Sequence, residues 1–78
     1  MRRQTVAIAF GRVLRELRHE RGLSQEQLAL LGNFDRTYPS LLERGLRTPT
    51  LTVIFRLASA LDIAPASLVA RVSEEAEK

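Results

Sequence analysis

Arginine is the residue type best placed to do chemistry in this sequence. Eleven of the 12 basic side chains are arginine, and only Lys78 is lysine. Three of the nine acidic residues sit in the last six positions, so residues 1–72 hold 11 basic against 6 acidic side chains. A guanidinium presents a rigid fork of donors that matches phosphate and base edges. A polyanion is therefore the first partner to expect. Other chemistries are poorly supplied. With no cysteine there is no disulfide, thiolate metal site or thiol nucleophile. His19, the only histidine, has no partner at a ligand spacing and reads as a surface imidazole. No nucleophile–base pair, phosphate-binding glycine loop or usefully spaced carboxylates emerge, so neither an enzyme nor a cofactor is expected.

The elements that must position the arginines are all helical. Phe10, Val13, Leu14 and Leu17 recur at i, i+3, i+4 and i+7, with charged residues between them. Thr5 as N-cap and Gly22 as the left-handed C′ residue bound a first helix from about Val6 to Arg21. Arg2 and Arg3, ahead of it, read equally as a basic arm or as a leader. Ser24 to Gln27 has the capping-box form S-x-x-Q, and Leu23 and Leu28 form the matching hydrophobic staple. This short second helix ends at Gly32-Asn33, where asparagine tolerates left-handed angles.

Asp35 is the expected N-cap of a third helix that closes at Gly45, with Leu41 and Leu42 as its core residues and a Schellman contact from Leu46 to Leu41. Thr50 caps a fourth helix whose stripe is Leu51, Ile54, Phe55, Ala58 and Leu61. Pro65 suits the N1 position of a fifth helix, with Leu68, Val69 and Val72 as its apolar residues. The fold class is all-α, with five short helices in one domain over residues 1–72 and an acidic, frayed tail over 73–78. No apolar run approaches the ~18–20 residues of a membrane span. Residues 4–10 are too short for a signal-peptide core, so a soluble cytoplasmic protein is expected. At 45% apolar residues the chain can form a core, but one this short buries only roughly 60–65% of its unfolded surface, and self-association would help it.

Two short helices joined by a tight turn near mid-chain describe a helix-turn-helix. In order along the chain come LSQEQLA at 23–29, DRTY at 35–38, LERG at 42–45, and Arg47 and Pro49. This succession resembles the phage-repressor (Xre/Cro-type) DNA-binding family over residues 8–70. The Arg-Thr-Tyr run and the Glu-Arg-Gly ending are similar to the restriction–modification controller proteins within it. The resemblance implies a compact lambda-repressor-like domain, with helix three entering the major groove of double-stranded DNA.

On that reading Arg36, Thr37 and Ser40 meet base edges, and Arg36 binds guanine O6 and N7 bidentately. Gln25 adds a side-chain donor to the phosphate site that the free N–H groups of a helix N-terminus create. Arg47 is the favoured phosphate clamp and Arg44 a weaker one. Tyr38 either packs its ring on the turn or sends its hydroxyl to a phosphate. Glu43, in the last helical turn, is repelled by the helix dipole and needs a cation; the family pairs it with an arginine of helix one, here Arg18. Arg12, Arg15, Arg21, Arg56 and Arg71 are left as solvated surface.

Pro39 stands where the family usually has isoleucine or valine. With Asp35 as N-cap, proline at this position removes the first intrahelical bond. Either the opening turn distorts, or the helix starts nearer Thr37 and leaves Arg36 on the turn.

The function expected is a sequence-specific transcriptional regulator acting as a homodimer on a pseudo-palindromic operator. A single short helix makes too few contacts to discriminate one site in a genome. Ile63, Leu68, Val69 and Val72 are the candidates for the dimer surface. An antitoxin-type module that binds a partner toxin and its own promoter is the alternative. RNA polymerase and a toxin thus remain open as further partners.

Overall fold

The computed structural model describes residues 2–78, and its five helices follow from local signals that are mostly within five residues of one another. Helix α1 spans Arg3–Glu20, α2 Gln25–Gly32, α3 Tyr38–Glu43, α4 Leu51–Ala60 and α5 Pro65–Ala76. Ser24 forms a complete capping box: its Oγ accepts from Gln27 N–H at 3.0 Å, and Gln27 Oε1 accepts from Ser24 N–H at 2.7 Å. Thr50 caps α4 through Val53 N–H. Asn33 takes left-handed angles after α2, at φ 56°. After α3, Gly45 at φ 73° donates to Leu42 O and Leu46 donates to Leu41 O, both at 3.0 Å, which is the Schellman pair of bonds.

Several boundaries differ from those the sequence implies. Thr5 lies inside α1 and caps nothing; the N-cap is Arg2, which makes no side-chain cap bond. Asp35 is not the N-cap of α3. Thr37 holds that position, so Pro39 is the second helical residue, where its missing N–H had no intrahelical partner to lose. Proline thus shortens α3 to six residues and leaves Arg36 on the preceding turn. At the other end α5 runs on to Ala76, through most of the segment expected to fray.

Packing places α1 against α3 and α5, α2 against α3 and α4, and α4 against α5. Phe10, Val13, Leu14 and Leu17 of α1 meet Leu28, Leu42, Leu57, Leu61 and Leu68 in one core. Burying each such leucine stabilises the fold by about 1.5–3 kcal/mol. Gly11 brings α1 close to the end of α3: a Cβ there would sit 2.6 Å from Leu42 O and 2.5 Å from Glu43 O.

Core membership corrects two expectations. Leu41 is only half-buried and borders the groove between α2 and α3, whereas Leu42 is fully enclosed. On α4 the core face is Leu57, Ala58 and Leu61; Leu51 and Phe55 point outward, 68% and 55% exposed. Both faces of α4 are apolar, so periodicity alone cannot choose between them. Leu68 is 0% exposed and Val72 also belongs to the core, while Ile63 is half-buried against it. Of the four residues expected at a dimer surface, Leu68 is enclosed, Val72 is 9% exposed, and only Val69, at 47%, faces out.

Candidate nucleic-acid interface

The N-terminus of α2 and the start of α3 converge on an open groove of about 450 Å³. Its lining brings together Gln25, Arg36, Thr37, Ser40 and Arg44, five of the residues singled out in the sequence. Arg36 is exposed on the turn before α3, and among the described residues its side chain has no protein partner. Thr37 is held by Asp35: its N–H donates to Asp35 Oδ2 at 3.0 Å, and its hydroxyl donates to the same oxygen. The hydroxyl proton is thereby committed, while the Thr37 oxygen keeps its capacity to accept. These Thr37 hydrogen bonds, with a smaller contribution from the nearby Arg36 charge, hold the Asp35 carboxyl below its ordinary value.

Tyr38 and Arg47 lie outside this lining. The Tyr38 ring packs 5.5 Å, centroid to centroid, from Phe34 and is half-buried. Arg47 is exposed just beyond α3, its guanidinium donating to the neighbouring Leu46 carbonyl at 3.4 Å. Arg44 reaches back toward Ser40 O at 3.4 Å and is otherwise open to solvent.

Behind the groove sits a buried ion pair. Arg18 Nε and Nη2 donate to Glu43 Oε2 and Oε1 at 2.6 and 3.0 Å, and Arg18 Nη1 donates to Leu23 O at 2.9 Å. The two side chains are only 10% and 5% exposed. The Glu43 hydrogen bond raises the pKa of Arg18 against the opposing effect of burial. Gln25 completes the set, its amide donating to Glu43 Oε1 at 3.1 Å. The Gln25 side chain is therefore not simply a free donor beside the helix end. One amide hydrogen is anchored on Glu43 and the second is left for another acceptor.

Of the five arginines expected to be solvated, Arg15 is exposed and the other four are engaged. Arg21 donates to Leu61 O at 2.6 Å and to Asp62 O at 3.1 Å, covering carbonyls left open at the end of α4. Arg56 does the same at the end of α2. Arg71 bridges Glu16 and Glu20, which ties α5 to α1, and Arg12 lies 3.6 Å from Glu75. These partners are between 23 and 63 residues away in the chain, so no local spacing could have announced them. Gly11 was missed for the same reason. Among the described residues no helix is long and apolar enough to cross a membrane, and no three acidic or histidine side chains form a group that could hold a metal.

The helix-turn-helix family matches residues 14–68, which span the α2–α3 unit and most of the core around it. Control protein C.MunI of Mycoplasma sp is 35% identical over 71 residues, covering 90% of this chain and 96% of that relative. The crystal structure of the restriction–modification controller protein C.AhdI from Aeromonas hydrophila superposes with a TM-score of 0.77 at 52% identity, covering 80% of this chain and 94% of that one. The controller protein C.Esp1396I, solved as a tetramer on its natural 35 base-pair operator, gives a TM-score of 0.84 at 29% identity, covering 94% and 96%. Sequence and structure agree over nearly the whole length of both partners, and the chain belongs to the helix-turn-helix family of DNA-binding transcriptional regulators, alongside the restriction–modification controller proteins.

Proposed function

We propose that this regulator binds a pseudo-palindromic operator as a homodimer, with α3 in the major groove and the α2 N-terminus on a phosphate. The observation that carries the reading is the single groove shared by Gln25, Arg36, Thr37, Ser40 and Arg44. Arg36 reads a guanine from the turn, while Thr37 and Ser40 meet neighbouring bases. Gln25 and Arg44, with Tyr38 and Arg47 at the margins, hold the backbone and set the register. The buried Arg18–Glu43 pair keeps α3 against α1 and stays out of recognition.

A two-fold dimer places its recognition helices ~34 Å apart, one turn of the duplex. The surface best suited to form it is the outward apolar face of α4 and α5. Leu51, Ile54, Phe55, Pro65 and Val69 line one shallow hollow there. C.Esp1396I occupies its operator as a tetramer, which supports adjacent dimer sites for this chain as well. RNA polymerase is the further partner that regulation beside a promoter requires, and stoichiometric co-purification of a toxin would instead favour the antitoxin alternative.

Footprinting on the DNA upstream of the protein's own gene tests the reading. The expected result is protection of two half-sites related by two-fold symmetry, lost on substitution of Arg36. Protection no stronger than on random DNA would overturn it.

A further inference from the structure

Arg56 lies on α4, away from the groove between α2 and α3, yet it holds the turn that joins those two helices. Its Nη2 donates to Gly32 O at 2.7 Å and to Asn33 O at 2.6 Å. These are the last residue of α2 and its C-cap, whose carbonyls have no intrahelical partner. The same guanidinium lies 4.3 Å over the centroid of the Phe34 ring, a geometry in which cation and π face attract. Phe34 in turn packs against Tyr38, the first residue of α3. Gly32 fixes where that ring can go, because a Cβ at Gly32 would sit 2.6 Å from Phe34 Cδ2. Arg56 is itself held, since the next residue, Leu57, is fully buried in the core.

We infer that Arg56 is a positioning residue for base recognition, acting through the turn carbonyls and the Phe34–Tyr38 stack to set where α3 and Arg36 stand. This rests on the proposed reading that α3 meets the operator. The path runs from a core-anchored helix, through one flat cation, to the first residue of the recognition helix. Both carbonyls take the same nitrogen, Nη2, and the residue is exposed, so Nη1 and Nε leave a phosphate contact for the salt dependence below to detect. The same helix carries the outward apolar residues Leu51 and Phe55. Under the proposed dimer, α4 therefore links the spacing of the two subunits to the orientation of each recognition helix.

Arg56→Met keeps an unbranched apolar stem and removes the donors and the charge. Amide hydrogen exchange tests its hold on the turn without DNA. Phe34 N–H, bonded to Ala29 O, and Tyr38 N–H, bonded to Asp35 O, are the reporters. They should exchange about tenfold faster in the variant, while α1 amides keep their rates. Operator affinity should fall about tenfold, with affinity for random DNA and the slope of the salt dependence unchanged. Phe34→Leu should reproduce the loss of operator preference by a different route. Arg56→Lys, which keeps the charge but not the flat face over Phe34, should fall between wild type and Arg56→Met.

Turn amides that exchange at the wild-type rate would overturn the inference. An equal loss on operator and random DNA with a shallower salt slope would also do so, by making Arg56 a phosphate contact. A wild-type protein with no operator preference would overturn the proposed function instead, and the amide measurement would still decide the hold of Arg56 on the turn.

Discussion

Arg36 and Arg47 bear the same charge, and their alanine variants should fail in different ways. Arg36 lines the groove and is exposed, so Arg36→Ala should cost about 1–3 kcal/mol on the operator and relax preference at one base pair. Arg47→Ala should instead weaken all sequences alike and reduce the salt slope by about one. Competition binding over a series of salt concentrations separates the two patterns. Glu43 is a different case, because it is buried with Arg18. Glu43→Ala strands a buried guanidinium and should lower stability by about 3–5 kcal/mol in urea unfolding; a loss below about 1 kcal/mol would mean that Arg18 finds other partners. Asp35 gives a pH signature. Hydrogen bonds from Thr37 hold its carboxyl below the ordinary value of 3.8. A depressed folded value means that its stabilising contribution is complete above the unfolded value and is lost as pH falls through the lowered one. Urea midpoints followed from neutral pH into acid should therefore drop more steeply for wild type than for Asp35→Asn, with the difference confined to pH below about 4.

At the scale of the element, the recognition helix is defined by its two ends more than by its middle. Pro39 has no N–H, so the helix can begin only where that N–H is not needed, and Thr37 becomes the N-cap. Gly45 allows the left-handed turn that stops it. The six residues of α3 are then held from behind by α1, and that contact depends on Gly11. A methyl group at Gly11 would meet backbone carbonyls, which cannot swing aside as a flexible side chain can. Gly11→Ala should push α1 from α3, lengthen the Arg18–Glu43 hydrogen bonds and destabilise the protein by about 1–3 kcal/mol. Thermal unfolding together with the NMR resonance of Arg18 Nε–H would show both effects. An unchanged Arg18 signal at lowered stability would place the strain elsewhere.

For the whole molecule, the decisive division is between apolar residues that close the core and those that face out on α4 and α5. Leu68 and Val69 are adjacent in sequence and opposite in consequence. Leu68→Asp puts an unpaired charge among fully buried leucines, and a chain of this size, with only roughly 4–12 kcal/mol to lose, should not fold. Val69→Asp and Phe55→Asp change exposed positions and should yield folded monomers with weakened operator binding. Circular dichroism and light scattering distinguish the outcomes: a folded Val69→Asp variant that remains dimeric would move the interface off this face.

What the residues determine by themselves is whatever rests on near neighbours. The capping box at Ser24, the left-handed Asn33, the Schellman ending at Gly45 and the Thr50 cap each involve partners within five positions, and the backbone needs satisfied there are nearly independent of the rest of the fold. The family resemblance carried the reading further, to the residues that line the groove and to the pairing of Arg18 with Glu43. Only the tertiary structure decided which side of α4 is inside, that Leu68 and Val72 belong to the core, and that Arg21 and Arg56 close distant helix ends. The reason is physical. A helix that is apolar on two faces has no preferred one until its neighbours dock, and an arginine finds an open carbonyl 24 or 40 residues away only after the chain has brought that helix end within its reach.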